Sequence, residues 1–424
     1  MRVAVIGGGW SGMAAAVAAT GAGHQTAVFE AARQLGGRAR ALPVRGPDGG
    51  MLRLDNGQHI LAGAYRETLR LMRTVGVAPE RVLLRMPLTL RFPDGGGLAL
   101  PRWPAPLDAV VGIALARGWG AADKWSLARA AWYWRSSGFE CPPAVSVADL
   151  CRGLTPTVLA ELVEPLCVSA LNTPAGRASG QVFLRVMRDT LFEPGGSNLL
   201  LPRGDLGSLF PEAASQWLAR RGSHVETGKR VLQLAPQPRG WRVDGHDFDA
   251  VLLACPPQEA ARLAEESGVA APAWSALARG LQHEAIATVY ATGGPRLPLP
   301  MLALRTGPQA PAQFVFDRSR LGGPPGMLAF VVSACASDHG HIEQDVMLQA
   351  RALGWTAVRP LQTVVEKRAT FACTPGLERP PQQVAPGLLA CGDYVAGPYP
   401  ATLEGAVRSA LLAVAALAPA HALT

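Results

Sequence analysis

The apolar runs of this chain return to one theme three times and depart from it twice. Arg2-Val-Ala-Val-Ile6 is a short, nearly continuous apolar run that stops at glycine, which predicts a buried strand. An alanine-rich stretch from Met13 to Thr20 predicts a helix, and Thr26-Ala-Val-Phe29, ending at Glu30, predicts a second strand. The theme returns at Ser223 to Leu234, read as paired strands, at Trp241-Arg-Val243, and at Asp249 to Cys255, a buried strand closed by Pro256-Pro257. It returns last at Gly387-Leu-Leu-Ala-Cys391, followed by a turn and a helix that starts near Thr402. Two insertions separate these returns. One, from about residue 66 to 195, reads as mainly helical; the other, 263 to 379, holds strand-like runs at Ile286–Tyr290, Gln313–Phe316 and Met327–Val332. The expected fold is α/β: a discontinuous Rossmann-like domain (1–65, 196–262 and 380–424) carrying an inserted α+β substrate domain (66–195 and 263–379).

The first strand runs into Gly7-Gly-Gly9-Trp-Ser11-Gly12, a G-x-G-x-x-G between strand and helix. Gly7 permits the tight turn, Gly9 lets the backbone approach a pyrophosphate, and Gly12 lets helix and strand pack closely. The N–H groups at the helix start, around Ser11, are free to meet that anion. Glu30, 18 residues past Gly12, is placed to accept both ribose hydroxyls and repels a 2′-phosphate. The motif therefore predicts a dinucleotide.

Composition changes this picture little. The formal charge is +8, from 40 basic and 32 acidic residues, and lysine occurs only at Lys124, Lys229 and Lys367. No basic run interleaved with aromatics points to nucleic acid, while a mild positive charge suits an anionic membrane surface. The seven cysteines are scattered without C-x-x-C spacing, which predicts reduced thiols in a cytoplasmic protein and neither disulfides nor a metal site. With the first strand at residue 2, no leader peptide is expected, and no stretch of about 20 apolar residues could span a bilayer. The stretch Leu107 to Trp134 is apolar, tryptophan-rich and dotted with Arg and Lys. It suits either a helical pair over the substrate cavity or a bilayer interface.

Beyond Glu30 come Arg33, a further candidate cofactor-binding residue, and then Leu35-Gly36-Gly37-Arg38. An acidic strand end followed by G-G-R resembles the flavoprotein amine oxidase and phytoene desaturase superfamily, which implies FAD. On that resemblance Gly36 and Gly37 fold back over the diphosphate, Arg38 neutralises it, and the main chain at Val231 meets the adenine. Gly392-Asp393 would reach the ribitol, and the helix starting at Thr402-Leu403 would point its positive end at the flavin pyrimidine. More specific segments are Asp55-Asn-Gly57-Gln58-His59 through Tyr65, Glu164 through Asn172-Thr173, Phe314-Val-Phe-Asp317-Arg318, Glu366-Lys-Arg-Ala-Thr370 and Pro400-Ala-Thr-Leu-Glu-Gly405-Ala. With these the chain resembles, nearly end to end, the hydroxysqualene dehydroxylase family of bacterial hopanoid pathways. The resemblance implies reductive loss of an allylic hydroxyl from hydroxysqualene, giving squalene, with hydride from reduced flavin N5.

Such chemistry needs an allylic carbon held over the flavin, exclusion of water, and a proton donor near the departing oxygen. The candidates are His59, whose ordinary pKa of about 6.5 suits proton donation, Gln58 beside it, and Tyr399. Glu404 reads as a helix-end structural residue, or an acid if buried, Asp55 as fixing a turn, and Asp317-Arg318 as a structural ion pair or loop anchor. A carotenoid-type desaturase or isomerase would use the same geometry in the opposite direction. Amine oxidases often place a lysine near the flavin, and of the three lysines here only Lys367 is a candidate. A non-enzymatic prenyl-binding escort would have no need for the Gly392-Asp393 and Pro400–Ala406 segments. The electron donor that reduces FAD is not legible, since no second nucleotide motif of comparable quality exists.

Overall fold

The computed structural model describes residues 1–46, 48–335 and 339–417, so Pro47, residues 336–338 and residues 418–424 of the expected segments lie outside the described residues. Its central sheet has six strands, in the spatial order His224–Thr227, Gln25–Glu30, Arg2–Ile6, Ala250–Leu253, Leu388–Ala390 and Gln383–Ala385. The first five are parallel, and the last is antiparallel to its neighbour. Parallel strands buried on both faces explain why Val3, Ala4 and Val5 are all inaccessible.

Alternation along the first strand assigns its two faces. Val3 and Val5 pack with the helices Trp10–Gly21 and Leu403–Ala415, where fully buried Ala14, Ala15, Ala410 and Ala413 let the helices approach closely. Ala4 and Ile6 join the opposite cluster, which includes Trp241, Val243 and Phe248 of a small antiparallel sheet. Trp241 also donates its indole N–H to the Pro386 carbonyl (3.1 Å), tying that sheet to the last return of the chain.

The second large sheet is antiparallel and comes wholly from residues 283–371. Its strands lie in the order Met301–Ala303, Phe314–Asp317, Leu328–Cys335, His283–Thr292 and Arg359–Phe371. One face, with Val289, Phe330 and Val332, packs against Ile342 and Val346 of the helix His339–Ala352. The other, with Phe314, Phe316 and Val331, joins the core shared with the helices Glu164–Leu171 and Gly180–Leu191. The sheet is thus apolar on both faces because one packs on a helix and the other on the shared core.

One expectation is corrected. The paired strands read across Ser223–Leu234 break after Thr227: Gly228 has φ +74°, and its N–H bonds the Ala32 carbonyl (2.8 Å), so residues 228–233 form an irregular turn beside Glu30. Elements on both sides of the expected boundary at residue 65/66 pack together. The helix Arg66–Thr74 buries Leu69, Leu71 and Met72 in the core of the six-stranded sheet's helices. Beyond it, Leu83–Pro87 pairs with Asn198–Pro202, which pairs with Leu61–Ala62, so one small sheet stitches both segments together.

Among the described residues no group of three or more His, Cys, Asp or Glu could hold a metal, every cysteine is a free thiol, and no helix is long and apolar enough to cross a membrane.

Candidate active site

A cavity of about 1290 Å³ runs from the glycine turn of the first strand to the antiparallel sheet. Its polar end is built from backbone. Gly7 has φ +117°, and a Cβ there would press on the Ala254 carbonyl; a Cβ on Gly12 would overlap the Gly7 carbonyl oxygen. Gly12 accordingly packs beneath the wall and does not line it. The helix Trp10–Gly21 starts at Gly9 with no side-chain cap, so its first N–H groups face the cavity unbonded by a capping residue. Ser11 Oγ is buried there without a partner. Free helix N–H groups, an orphaned hydroxyl and space that only glycines leave are what a diphosphate requires.

Gly36 (φ +108°) and Gly37 (φ +60°) turn the chain back against this cradle, with the Gly36 N–H bonding the Gly8 carbonyl at 2.9 Å. Glu30 lies on the same wall; its carboxylate accepts from Gly8 N–H (2.5 Å) and Ala32 N–H (2.7 Å). Val231, Gly57, Gly392, Asp393, Thr402 and Leu403 also line the cavity. Thr402 Oγ1 caps the helix Leu403–Ala415 by accepting from Gly405 N–H (2.9 Å).

Two expected roles differ in the structure. Arg33 is exposed on the outer side of the bend after Glu30, while Ala31, Ala32 and Gln34 line the wall. Arg38 does line the cavity, but its guanidinium is ion-paired with Asp393 and donates to the Ala369 carbonyl (2.9 Å). Its charge is therefore directed to a carboxylate expected to act by itself.

His59, Gln58 and Tyr399 all line the cavity. His59 Nδ1 lies 2.8 Å from the Gly57 carbonyl. A carbonyl only accepts, so Nδ1 carries the proton and Nε2 holds a lone pair. Burial pushes the imidazole pKa down, and the nearby Arg38 lowers it further, so the ordinary value expected for a proton donor does not hold. Burial pushes the Tyr399 phenol up, and the Asp189 carboxylate, also on the wall, adds to this. Tyr399 thus keeps its O–H throughout the neutral range. Gln58 Oε1 accepts from Arg318 (3.2 Å). Asp317 pairs with Arg320 (3.6 Å), not Arg318, and accepts from the N–H groups of Leu297 (3.0 Å) and Ser319 (3.0 Å), so of the two expected roles it is the loop anchor that holds.

Glu404 is fully buried, and its carboxylate accepts from the N–H groups of Glu67 (3.1 Å) and Thr68 (3.0 Å). It holds a helix start, as read from the sequence. Asp55 accepts from Leu206 N–H (2.7 Å); its second oxygen is buried without a partner, and burial raises its pKa to about 7. Lys367 is exposed and off the wall; the lysine that lines the cavity is Lys229, whose N–H bonds the Glu30 carbonyl at 2.8 Å.

Sequence reasoning missed Asn56. Its side chain donates to the Arg38 carbonyl (2.8 Å) and to Glu366 (3.2 Å) and accepts from Arg40 N–H (3.0 Å). This locks the glycine loop to the strand Arg359–Phe371. Asn56 and Glu366 each sit in a segment singled out above, but nothing local links residues 310 apart.

The far end of the cavity is apolar. Leu166, Ala170, Val186, Ile286, Phe314 and Val331 form it, from two helices and three strands. Over residues 10–418 the chain matches the family described as flavin containing amine oxidoreductase. It belongs to that family. It is an FAD-dependent oxidoreductase, and the cradle described above fits FAD. Among its relatives are the hydroxysqualene dehydroxylases of Rhodopseudomonas palustris, 29% identical with 96% of each chain covered, and of Sinorhizobium fredii, 27% identical with the same coverage. Among solved structures, an oxidoreductase from Methanosarcina mazei superposes with TM-score 0.74 at 17% identity, covering 98% of this chain and 100% of that one. Cyclohexylamine oxidase from Brevibacterium oxydans superposes with TM-score 0.70 at 16% identity, covering 98% of each. These structural likenesses concern the fold.

Proposed function

We propose that this flavoenzyme removes the allylic hydroxyl of hydroxysqualene reductively, yielding squalene for hopanoid synthesis. The observation that carries the reading is the continuity of one cavity from a dinucleotide cradle to an apolar end, in a chain similar along 96% of its length to hydroxysqualene dehydroxylases. In the reaction an allylic C–O bond breaks, the oxygen takes a proton and leaves as water, and a C–H bond forms at the carbon it left. Reduced FAD, when bound, supplies the two electrons and the hydrogen, and an external donor must renew them.

The chain's own residues do the rest. The uncapped helix start with Ser11, Gly9, Gly36 and Gly37 holds the diphosphate. Of the other lining residues, Glu30 would hold the ribose, Val231 would border the adenine and Asp393 would reach the ribitol. Thr402 and Leu403 would turn a helix N-terminus toward the pyrimidine. The apolar end takes the isoprenoid and excludes water from the reacting carbon. Tyr399, protonated at neutral pH, offers its O–H to the departing oxygen, while His59 Nε2 and the Gln58 side chain, steadied by Arg318, orient it. Lys367 lies off the wall, and Lys229, the lysine on it, sits beside Glu30 at the glycine cradle, so neither supports the amine oxidase reading.

The test is product analysis. Protein reduced under argon and incubated with hydroxysqualene should yield extractable squalene. No squalene, with oxidised protein instead dehydrogenating a polyene precursor, would make it a desaturase. Tyr399→Phe should keep FAD and slow product formation about 100-fold; an unchanged rate would remove Tyr399 from the reaction.

A further inference from the structure

Most of the large apolar side chains that are exposed among the described residues fall between residues 103 and 133. The helix Leu107–Ala114 there is inverted. Its inward face carries Asp108, 1% exposed, with Ala109 and Gly112, while its outward face carries Leu107 and Val110, the latter 60% exposed. Leu115 follows at 66%. A helix on an aqueous surface turns polar residues outward; this one buries its only charge and shows water aliphatic side chains.

The next helix, Ala121–Ser136, is apolar on two sides. Leu127 and Trp134, seven residues apart, point inward, and Trp134 packs edge-on against Phe183 at 6.1 Å. Trp125 and Trp132, also seven apart, point outward, each 71% exposed, with Arg129 between them on the same side. Lys124 joins the helices by donating to the Ala114 carbonyl (2.8 Å), so Leu115 and Trp125 flank that junction.

We infer that this pair of helices docks on an anionic lipid surface. The charge pattern selects that occupant. The exposed charges from residue 102 to 136 are Arg102, Arg117, Arg129 and Arg135. The two carboxylates of the stretch are used elsewhere: Asp108 accepts from Ser197 Oγ (2.6 Å), and Asp123 accepts from Gly120 N–H (2.8 Å) and Thr155 Oγ1 (2.6 Å). A two-fold contact with a second copy would set this basic patch against itself. Tryptophan with arginine on a short helix suits the headgroup region, where indole rings are favoured and each basic side chain gains from anionic lipid. The length of both helices keeps the protein on the surface and not across it.

The patch also lies close to the cavity. Ser197, the partner of Asp108, sits between Gly196 and Leu199 on the cavity wall, and its carbonyl bonds the N–H of Leu88, another wall residue. A membrane under this face would stand one side-chain layer from the cavity wall. The inference does not depend on which isoprenoid the cavity takes.

Vesicle sedimentation tests it, using FAD-loaded protein with phosphatidylglycerol–phosphatidylcholine vesicles and with phosphatidylcholine alone. The parent protein should sediment with the anionic vesicles, weakly with the neutral ones, and less as salt is added. Trp125→Ser with Trp132→Ser should weaken binding about tenfold or more, and Arg117→Gln with Arg129→Gln should remove most of the salt dependence. Bound flavin and melting temperature, unchanged in both double variants, serve as the folding control. Parent protein left in the supernatant at low salt, or tryptophan variants that bind equally well, would overturn the inference. So would a parent dimer in sedimentation velocity that the tryptophan substitutions dissolve, since the face would then belong to a second copy.

Discussion

The two ends of the cavity are made of different material. At the polar end the protein presents main chain: glycines that leave room for a ligand, helix N–H groups without a cap, and backbone turned back at Gly36 and Gly37. At the apolar end it presents side chains, such as Ile286, Phe314 and Val331, carried by separate strands of an antiparallel sheet. Backbone geometry is nearly all-or-none, because one added methyl has nowhere to go. Side-chain walls are graded, because a lost methylene leaves most contacts in place. The polar end should therefore fail abruptly and the apolar end gradually.

The harshest way to break that contrast is Gly12→Val. Its Cβ would overlap the Gly7 carbonyl, so helix and strand must separate, at a cost of about 3 kcal/mol or more. We expect little soluble protein and no yellow colour in what remains; a folded, flavin-loaded variant would show that the cradle yields.

Asp55 probes the junction of the two regions, since its backbone meets the Tyr290 hydroxyl of the second sheet and its carboxylate meets Leu206. Its pKa rises from 3.8 to about 7 on folding, chiefly through burial. Between those values the folded state holds a proton that the unfolded state releases, so stability falls as pH rises from about 4 to about 7. Asp55→Asn should match the parent near pH 4 and exceed it by about 2–4 kcal/mol near pH 7. Denaturation curves at the two pH values check this, and parallel pH profiles for the two proteins would refute it.

Asp393→Ala removes the ion-pair partner of Arg38 and a polar wall group together. FAD should bind about 10- to 100-fold more weakly, a loss tempered by the partial exposure of Arg38. Flavin titration of the apoprotein measures it, and unchanged affinity would remove Asp393 from the cradle. The gentlest test is Ile286→Ala at the apolar end. It should leave flavin content intact and raise KM for the isoprenoid roughly tenfold. Loss of flavin there would erase the distinction between the two ends.

The same contrast explains what could be read from the chain alone. The cradle was legible because its chemistry is local: Gly7, Gly9 and Gly12 sit within six residues, and Glu30 ends the next strand. The α/β class followed from the same motif and its returns. The apolar end was legible only in fragments: Leu166, Ala170 and Phe314 sit in segments singled out above, but they meet Val186, Ile286 and Val331 through helix packing and strand register that the sequence does not show. Asn56 with Glu366, and Gln58 with Arg318, were hidden for the same reason. The shift of His59 away from its ordinary pKa was invisible as well, since burial and Arg38 set it, and neither can be counted along the sequence. The packing of the helix Arg66–Thr74 with the helices of the six-stranded sheet was hidden too, because its amphipathic pattern shows that it packs, not against what.

The central claim is that one cavity passes reducing equivalents from its polar end to an allylic alcohol at its apolar end. The most direct measurement is an anaerobic single turnover. Photoreduced, FAD-loaded protein is mixed with hydroxysqualene, flavin reoxidation is followed near 450 nm (about where oxidised flavins absorb), and the lipid is analysed. The account predicts reoxidation matched mole for mole by squalene. Flavin that stays reduced while hydroxysqualene is recovered intact would contradict it.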